Sequence, residues 1–272
     1  MRKRTTAASK RQQKQRNSAV RNVIIVVLAV SLIAVLYVRT VLGRRSLDEV
    51  TLCPASPDSI TVLLVDVTDP MTLPQKQDFR NQLDRLISEI PRYGKLVITK
   101  VDPVSDRLLT PIVTRCNPGT GSDTNELVGN KKKLEKLHQE QFIAPLQDAY
   151  DRILSASDAS RSPILESIQS INLTELASDQ SAGIRKRLIV ASDLLQNTDD
   201  LSFYKHIPEP ASILKNQAFS RVRTDLRGVD VDLWMLQRGD SSNSQPRDLP
   251  DLWSAIIDTQ GGRIMRVYTV SG

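Results

Sequence analysis

The chain has 272 residues, 40% of them hydrophobic, which allows one sizeable core beside smaller extras. Its formal charge of +6 misleads, because residues 1–45 hold 11 Lys/Arg and no acid, leaving residues 46–272 at a net −5. A mildly acidic folded part argues against a nucleic-acid-binding core, which needs positive charge clustered on the domain itself.

Residues 1–22 form a basic arm rich in Lys, Arg, Gln, Ser and Thr, with no hydrophobic period, and are expected to be disordered. The run Val23–Val38 is aliphatic and aromatic apart from Ser31. As a helix it spans about 24 Å at roughly 1.5 Å per residue, a little short of a ~30 Å hydrocarbon core. Arg21 and Arg39 can snorkel to make up the difference. Residues 23–42 are therefore expected to be a single transmembrane anchor. Eight Lys/Arg precede the run and three follow it closely, which predicts a cytoplasmic arm and an exported main domain, periplasmic if the cell is bacterial. A cleaved signal peptide ending near Val41-Leu42-Gly43 is the alternative, and an organellar presequence would share the composition.

Residues 43–58, with Pro54 and Pro57, read as a linker, and residues 59–272 as the folded domain. Ile60–Asp66 is an apolar run ending in a carboxylate, the pattern of a strand buried on both faces. Phe79, Leu83, Leu86, Ile87 and Ile90 recur at helical spacing up to Pro91. Leu96–Val101 and Leu108–Cys116 read as two strands whose short connection requires antiparallel pairing. A helical pattern runs from Leu134 to Ile153 with a split expected near Pro145, and a short helix is expected at Ser162–Ile171. Arg187–Asp193 is a second buried strand ending in a carboxylate. A helix at about Ala211–Leu226, a strand at Val229–Leu236, a helix at Leu249–Thr259 and a strand at Ile264–Val270 complete the chain. Alternating strands and helices predict an α/β fold: a doubly wound, mostly parallel six-stranded sheet with one antiparallel edge strand. Ligands of such sheets gather at the carboxyl ends of the strands, where Asp66 and Asp193 are both expected.

In element order and in three short motifs, residues 59–270 resemble the von Willebrand factor A-type domain. The family's Asp-x-Ser-x-Ser motif reads here Asp66-Val67-Thr68-Asp69-Pro70; Ser162 stands in the place of its helix-opening Thr; Asp193 in Ala191-Ser192-Asp193 matches its later Asp. The resemblance implies a divalent metal, usually Mg²⁺, touched by Asp66, Thr68 and Ser162 directly or through water and by Asp193 through water. Mg²⁺ takes hard oxygens in an octahedron and keeps several waters, so two carboxylates and two hydroxyls suffice. Pro70 departs from the motif because it supplies no ligand, with Thr72 or Asp69 as candidate substitutes. In a sheet of this kind the third strand runs antiparallel, which sets Cys116 near the start of the first strand and near Cys53. A Cys53–Cys116 disulfide is the expectation that follows, against two free thiols.

The leading functional expectation is a membrane-anchored binding or scaffold domain that recognises a protein partner at the strand-end rim, possible metal use included. No nucleophile elbow, phosphate-cradling loop or Rossmann glycine fingerprint is present. His138 sits in a helical pattern and His206 in a polar loop. Asp66 followed by Val-Thr superficially resembles the aspartyl nucleophile of haloacid dehalogenase-like phosphotransferases, with Lys186 and Asp199-Asp200 as phosphate and Mg²⁺ partners. A structural subunit of a membrane assembly, with no ligand, is the third reading.

Overall fold

The computed structural model describes residues 7–42, 45–68, 70–104, 108–123, 130–154, 159–177, 183–204, 207–238, 245–246 and 248–270. Asp69 and His206 lie outside them. The chain divides into two compact units, Met1–Ser46 and Leu47–Gly272.

The first unit contains one long helix, α1 (Ala7–Leu42). Within it Arg16–Arg39 is long and apolar enough to cross a membrane by length and composition. Its side chains from Val23 to Val38 are all exposed, unlike those of a buried core helix, which leaves it a candidate membrane span. Contrary to the expectation of disorder, the basic arm is helical from Ala7. Ala, Lys, Gln and Arg are strong helix formers, and an already nucleated apolar helix lets them propagate it.

The second unit is built on six strands: β1 (Ser59–Val65), β2 (Gly94–Lys100), β3 (Val113–Cys116), β4 (Arg185–Ser192), β5 (Val229–Leu236) and β6 (Arg263–Val270). Their order is β3-β2-β1-β4-β5-β6, with β3 antiparallel to β2 and every other pairing parallel. This is the doubly wound sheet with an antiparallel edge that the sequence predicts. All seven residues of β1 are buried, because helices cover both faces of this central strand. Ile60, Val62 and Leu64 enter one core with α5 (Ile164–Ile171), α7 (Gln217–Val222) and α8 (Leu249–Thr259). Leu63 and Val65 enter the other with α2 (Leu73–Glu89) and α4 (Ala144–Leu154). Strand alternation thus builds two cores on one sheet.

Local chemistry explains where elements end or depart from the expected spans. Thr72 opens α2 with a capping box, its hydroxyl accepting from Gln75 N–H at 3.3 Å while Gln75 Oε1 accepts from Thr72 N–H at 3.0 Å. The helical stretch that begins with α3 (Lys131–Leu137) and ends with α4 does not break at Pro145. It widens into a π-helical turn over His138–Ile143, and the Gln141 carbonyl that a proline four residues on cannot serve accepts from Arg115 Nε at 3.1 Å. The expected helix at 211–226 is instead two short ones, α6 (Pro210–Ile213) and α7. Asn216 separates them by capping α7, with its Oδ1 accepting from Ala218 N–H at 2.7 Å. The third strand spans only Val113–Cys116, because the stretch before it contains Pro111, which has no N–H for the ladder.

The expected linker is partly domain. Leu47 pairs with Pro54 in an antiparallel bridge, Cys116 N–H donates to Thr51 O at 2.8 Å, and Cys53 is bonded to Cys116. Cys116 faces Lys95 near the start of β2, so the disulfide pins the entering chain at the base of the sheet, at the amino ends of the parallel strands. The bridge spans 63 residues of sequence. A chain-entropy estimate for such a loop is about 4 kcal/mol. The Cys53→Ser/Cys116→Ser double variant should accordingly unfold at lower urea, with a slope no smaller than that of wild type because the freed denatured chain is less compact, and equal midpoints for the two proteins would show that the bridge contributes nothing.

Candidate functional site at the carboxyl end of the sheet

Strand order reverses between β1 and β4: the chain moves outward from β1 through β2 in one direction and from β4 through β5 in the other. Parallel pairing carries both strand ends to the same edge, with Asp66 N–H donating to Ala191 O at 2.8 Å beyond the last β1 pair. Asp66 and Asp193 are therefore at one rim, at the crevice where such folds bind ligands.

The four residues expected there are all buried at it: Asp66, Thr68, Ser162 and Asp193. Asp66 is the hub. Its Oδ1 accepts from Thr68 N–H at 3.1 Å and from Thr68 Oγ1 at 2.8 Å. Its Oδ2 accepts from Ser162 Oγ at 2.6 Å and from Ser192 Oγ at 2.9 Å. Ser162 reaches it because its own backbone is bridged to Asn197 in both directions, Ser162 N–H to Asn197 O at 2.8 Å and the reverse at 2.9 Å. Gln196 Oε1 then accepts from Leu165 N–H at 2.9 Å at the start of α5.

Asp193 is linked to that hub through Ser192, whose Oγ lies 3.4 Å from Asp193 Oδ1. The same oxygen accepts from Leu195 N–H at 2.9 Å, and Asp193 Oδ2 takes an ion pair from Arg238 Nε. The chain turns sharply after it through Leu194, whose φ of 65° lies in the left-handed region that a bulky residue rarely adopts. That conformation is fastened at both ends, by Leu194 N–H to Ser192 Oγ at 2.8 Å and by Trp253 Nε1 to Leu194 O at 2.9 Å. A strained backbone locked in this way beside two acids is a feature of built sites.

Ser192 and Arg238 join the site without having been singled out from the sequence. Arg238 follows β5 by two residues, donates to the Tyr204 hydroxyl, and lies over the Tyr204 ring at 4.9 Å. Gln245 Nε2 donates to Asp193 O at 2.7 Å and Leu236 O at 2.8 Å, tying the ends of β4 and β5 together. Arg238 sits in the polar stretch after β5, where no motif or period marks it in the sequence.

Residues offered as substitutes or partners have other duties. Thr72 is spent on the α2 cap. Pro70 is exposed. Lys186 pairs with Ile60 near the start of β1, at the opposite end of the sheet from Asp66; six residues of strand at roughly 3.3 Å each put it about 20 Å away. Asp199 and Asp200 are exposed and lie 3.7 Å from Arg161 and 3.6 Å from Arg221. His138 is half-buried against the Phe142 ring at 5.4 Å. The aspartyl-phosphotransferase constellation therefore does not assemble around Asp66.

No protein-family profile and no curated protein sequence matches the chain. Solved structures with a similar fold include the conserved hypothetical protein BatB from Bacteroides thetaiotaomicron, at 12% identity and TM-score 0.39, over 78% of this chain and 91% of that one. An aerotolerance-related membrane protein from Bacteroides fragilis is similar at 10% identity and TM-score 0.37, over 77% and 91%. A von Willebrand factor type A protein from Catenulispora acidiphila is similar at 12% identity and TM-score 0.40, over 80% of this chain and 40% of that one. By its own strand order and helix placement, the second unit has a von Willebrand factor A-like α/β fold.

Burial, followed by the negative charge of Asp66, pushes the Asp193 carboxyl up from 3.8 to about 6, against the opposing pull of Arg238 and the Leu195 N–H. Because the folded state holds this proton more tightly than the unfolded chain, the group's contribution favours folding most at low pH and declines as pH rises from about 4 to 6. A two-unit shift corresponds to about 3 kcal/mol at most. The melting temperature of wild type minus that of Asp193→Asn should thus fall across this window; a rising or level difference would reverse the sign assigned to the group.

Proposed function

We propose that this chain is a membrane-anchored binding domain that recognises a protein partner with the carboxyl-end rim of its sheet. The observation that carries the reading is the convergence of Asp66, Thr68, Ser162, Ser192, Asp193 and Arg238 at the β1/β4 crevice. Asp66 accepts four hydrogen bonds, about as many as a carboxylate has lone-pair sites, so it is occupied as a structural acceptor rather than held open for attack on a substrate. Such a network gives a rim of fixed shape, and pre-organisation favours recognition by lowering the ordering cost of binding.

The anchor is residues 23–42, with the arm cytoplasmic and the domain exported. The eight basic residues before the apolar run support this orientation, and the Cys53–Cys116 bridge accords with an oxidising compartment.

A photo-crosslinking residue placed at exposed Pro70, on the rim side, should give a discrete protein adduct in native membranes. The same residue at exposed Ala55, at the base, should not. Replacing Ser162 by Ala removes one donor to the buried Asp66 carboxylate, should cost about 2 kcal/mol of stability, and should weaken the Pro70 adduct. Equal adducts at both positions, or none at Pro70, would count against a rim-directed partner and favour a purely structural subunit.

A further inference from the structure

The residues that would receive a divalent ion at this rim are Asp66, Thr68, Ser162 and Asp193. A small hard cation needs oxygens with lone pairs turned inward in an octahedron. Here Asp66 already accepts from Thr68 N–H, Thr68 Oγ1, Ser162 Oγ and Ser192 Oγ. Asp193 accepts from Leu195 N–H on one oxygen and from Arg238 on the other. Pro70 stands where the last hydroxyl of the motif would be. The donor set therefore does not fit a metal as it is arranged, and the positive charge that meets it, at Asp193, is the Arg238 guanidinium.

The seat of that charge is built. The Arg238 side chain is only 16% exposed. Its backbone N–H donates to Gln245 Oε1 at 3.3 Å, and the preceding carbonyl, Gln237 O, accepts from Gln75 Nε2 in α2. Its guanidinium is set against both the ring and the hydroxyl of Tyr204. A planar, permanently charged fork suits this role better than an ammonium would.

We propose that Arg238 is the resident cation of the rim, balancing the Asp66 and Asp193 charges in place of a divalent ion, so that the site keeps its shape and engages its partner without metal. Bringing a dication to the Asp66 side of the crevice would set it against the guanidinium already paired to Asp193. The proposal deepens the rim reading above and rests on it for the partner, but its metal arm needs no partner.

The test uses the full chain in detergent micelles, with Mn²⁺ alone as the probe. The electron paramagnetic resonance signal of free Mn²⁺ reports binding, and melting in millimolar Mg²⁺ against EDTA reports stabilisation. Wild type should leave the Mn²⁺ signal undiminished and melt identically in both media. Arg238→Gln should gain a metal-dependent rise in melting temperature, and Arg238→Lys, which keeps the charge, should not. Wild type that takes up Mn²⁺ or melts higher in Mg²⁺ overturns the proposal. A folded Arg238→Gln as indifferent to metal as wild type removes Arg238 as the cause; if that variant does not fold, the wild-type and Arg238→Lys results decide. The Pro70 adduct should persist in EDTA. An adduct lost on chelation sinks metal-free engagement, whereas an adduct absent in every medium counts against the partner reading alone.

Discussion

The rim depends on one buried carboxylate. Asp66 is 4% exposed and joins three stretches of chain that are far apart in sequence: its own β1 turn, the segment before α5 through Ser162, and the end of β4 through Ser192. A buried carboxylate is tolerable only when its lone pairs are filled, and hydroxyl and amide donors fill them here without a direct ion pair among the described contacts. The consequence is geometric. The end of β1 cannot move without unpairing groups on two other elements, so the crevice at the strand reversal is a fixed shape rather than a gap between loops.

Asp193 obeys a different balance. It is nearly as buried as Asp66, but its outer oxygen is answered by a full positive charge. Two acids close together in a low-polarity edge repel, which is why Asp66 appears among the causes that raise the Asp193 pKa. Arg238 offsets that repulsion, and the Leu194 turn, fastened by Trp253 from α8, holds Asp193 in reach of it. The last helix thus contributes to the rim from inside the core, through an indole N–H rather than through any residue at the surface.

How far the sequence revealed this follows from which forces leave periodic traces. Strands β1 and β4 were legible because burial on both faces demands continuous apolar runs, and the Asp at the end of each was legible because parallel strands share an edge. Arg238 was not, because an Arg in a polar loop looks the same whether it faces water or closes an ion pair across 45 residues of sequence. The helical arm was missed for a related reason: hydrophobic periodicity is the sequence trace of a packed helix, and residues 7–22 carry no such period, which leaves intrinsic propensity as their one helical signal. The split at Asn216 was carried by a single capping side chain, which a pattern of spaced apolar residues does not register.

The domain has two ends with different physics. At the base, the entering chain is closed against the sheet by a covalent bridge and by backbone bonds, Cys116 N–H to Thr51 O and Asp58 N–H to Tyr93 O. These contacts fix where the chain arrives and ask little of side-chain chemistry. At the rim, the contacts are almost all between side chains or from side chains to backbone, and they centre on two acids and one arginine. Side-chain networks of this kind are costly to leave partly satisfied, and when filled they rigidify the element ends they join. The network therefore lies at the end of the sheet opposite the one where the chain enters, and each end is fixed by a different kind of contact.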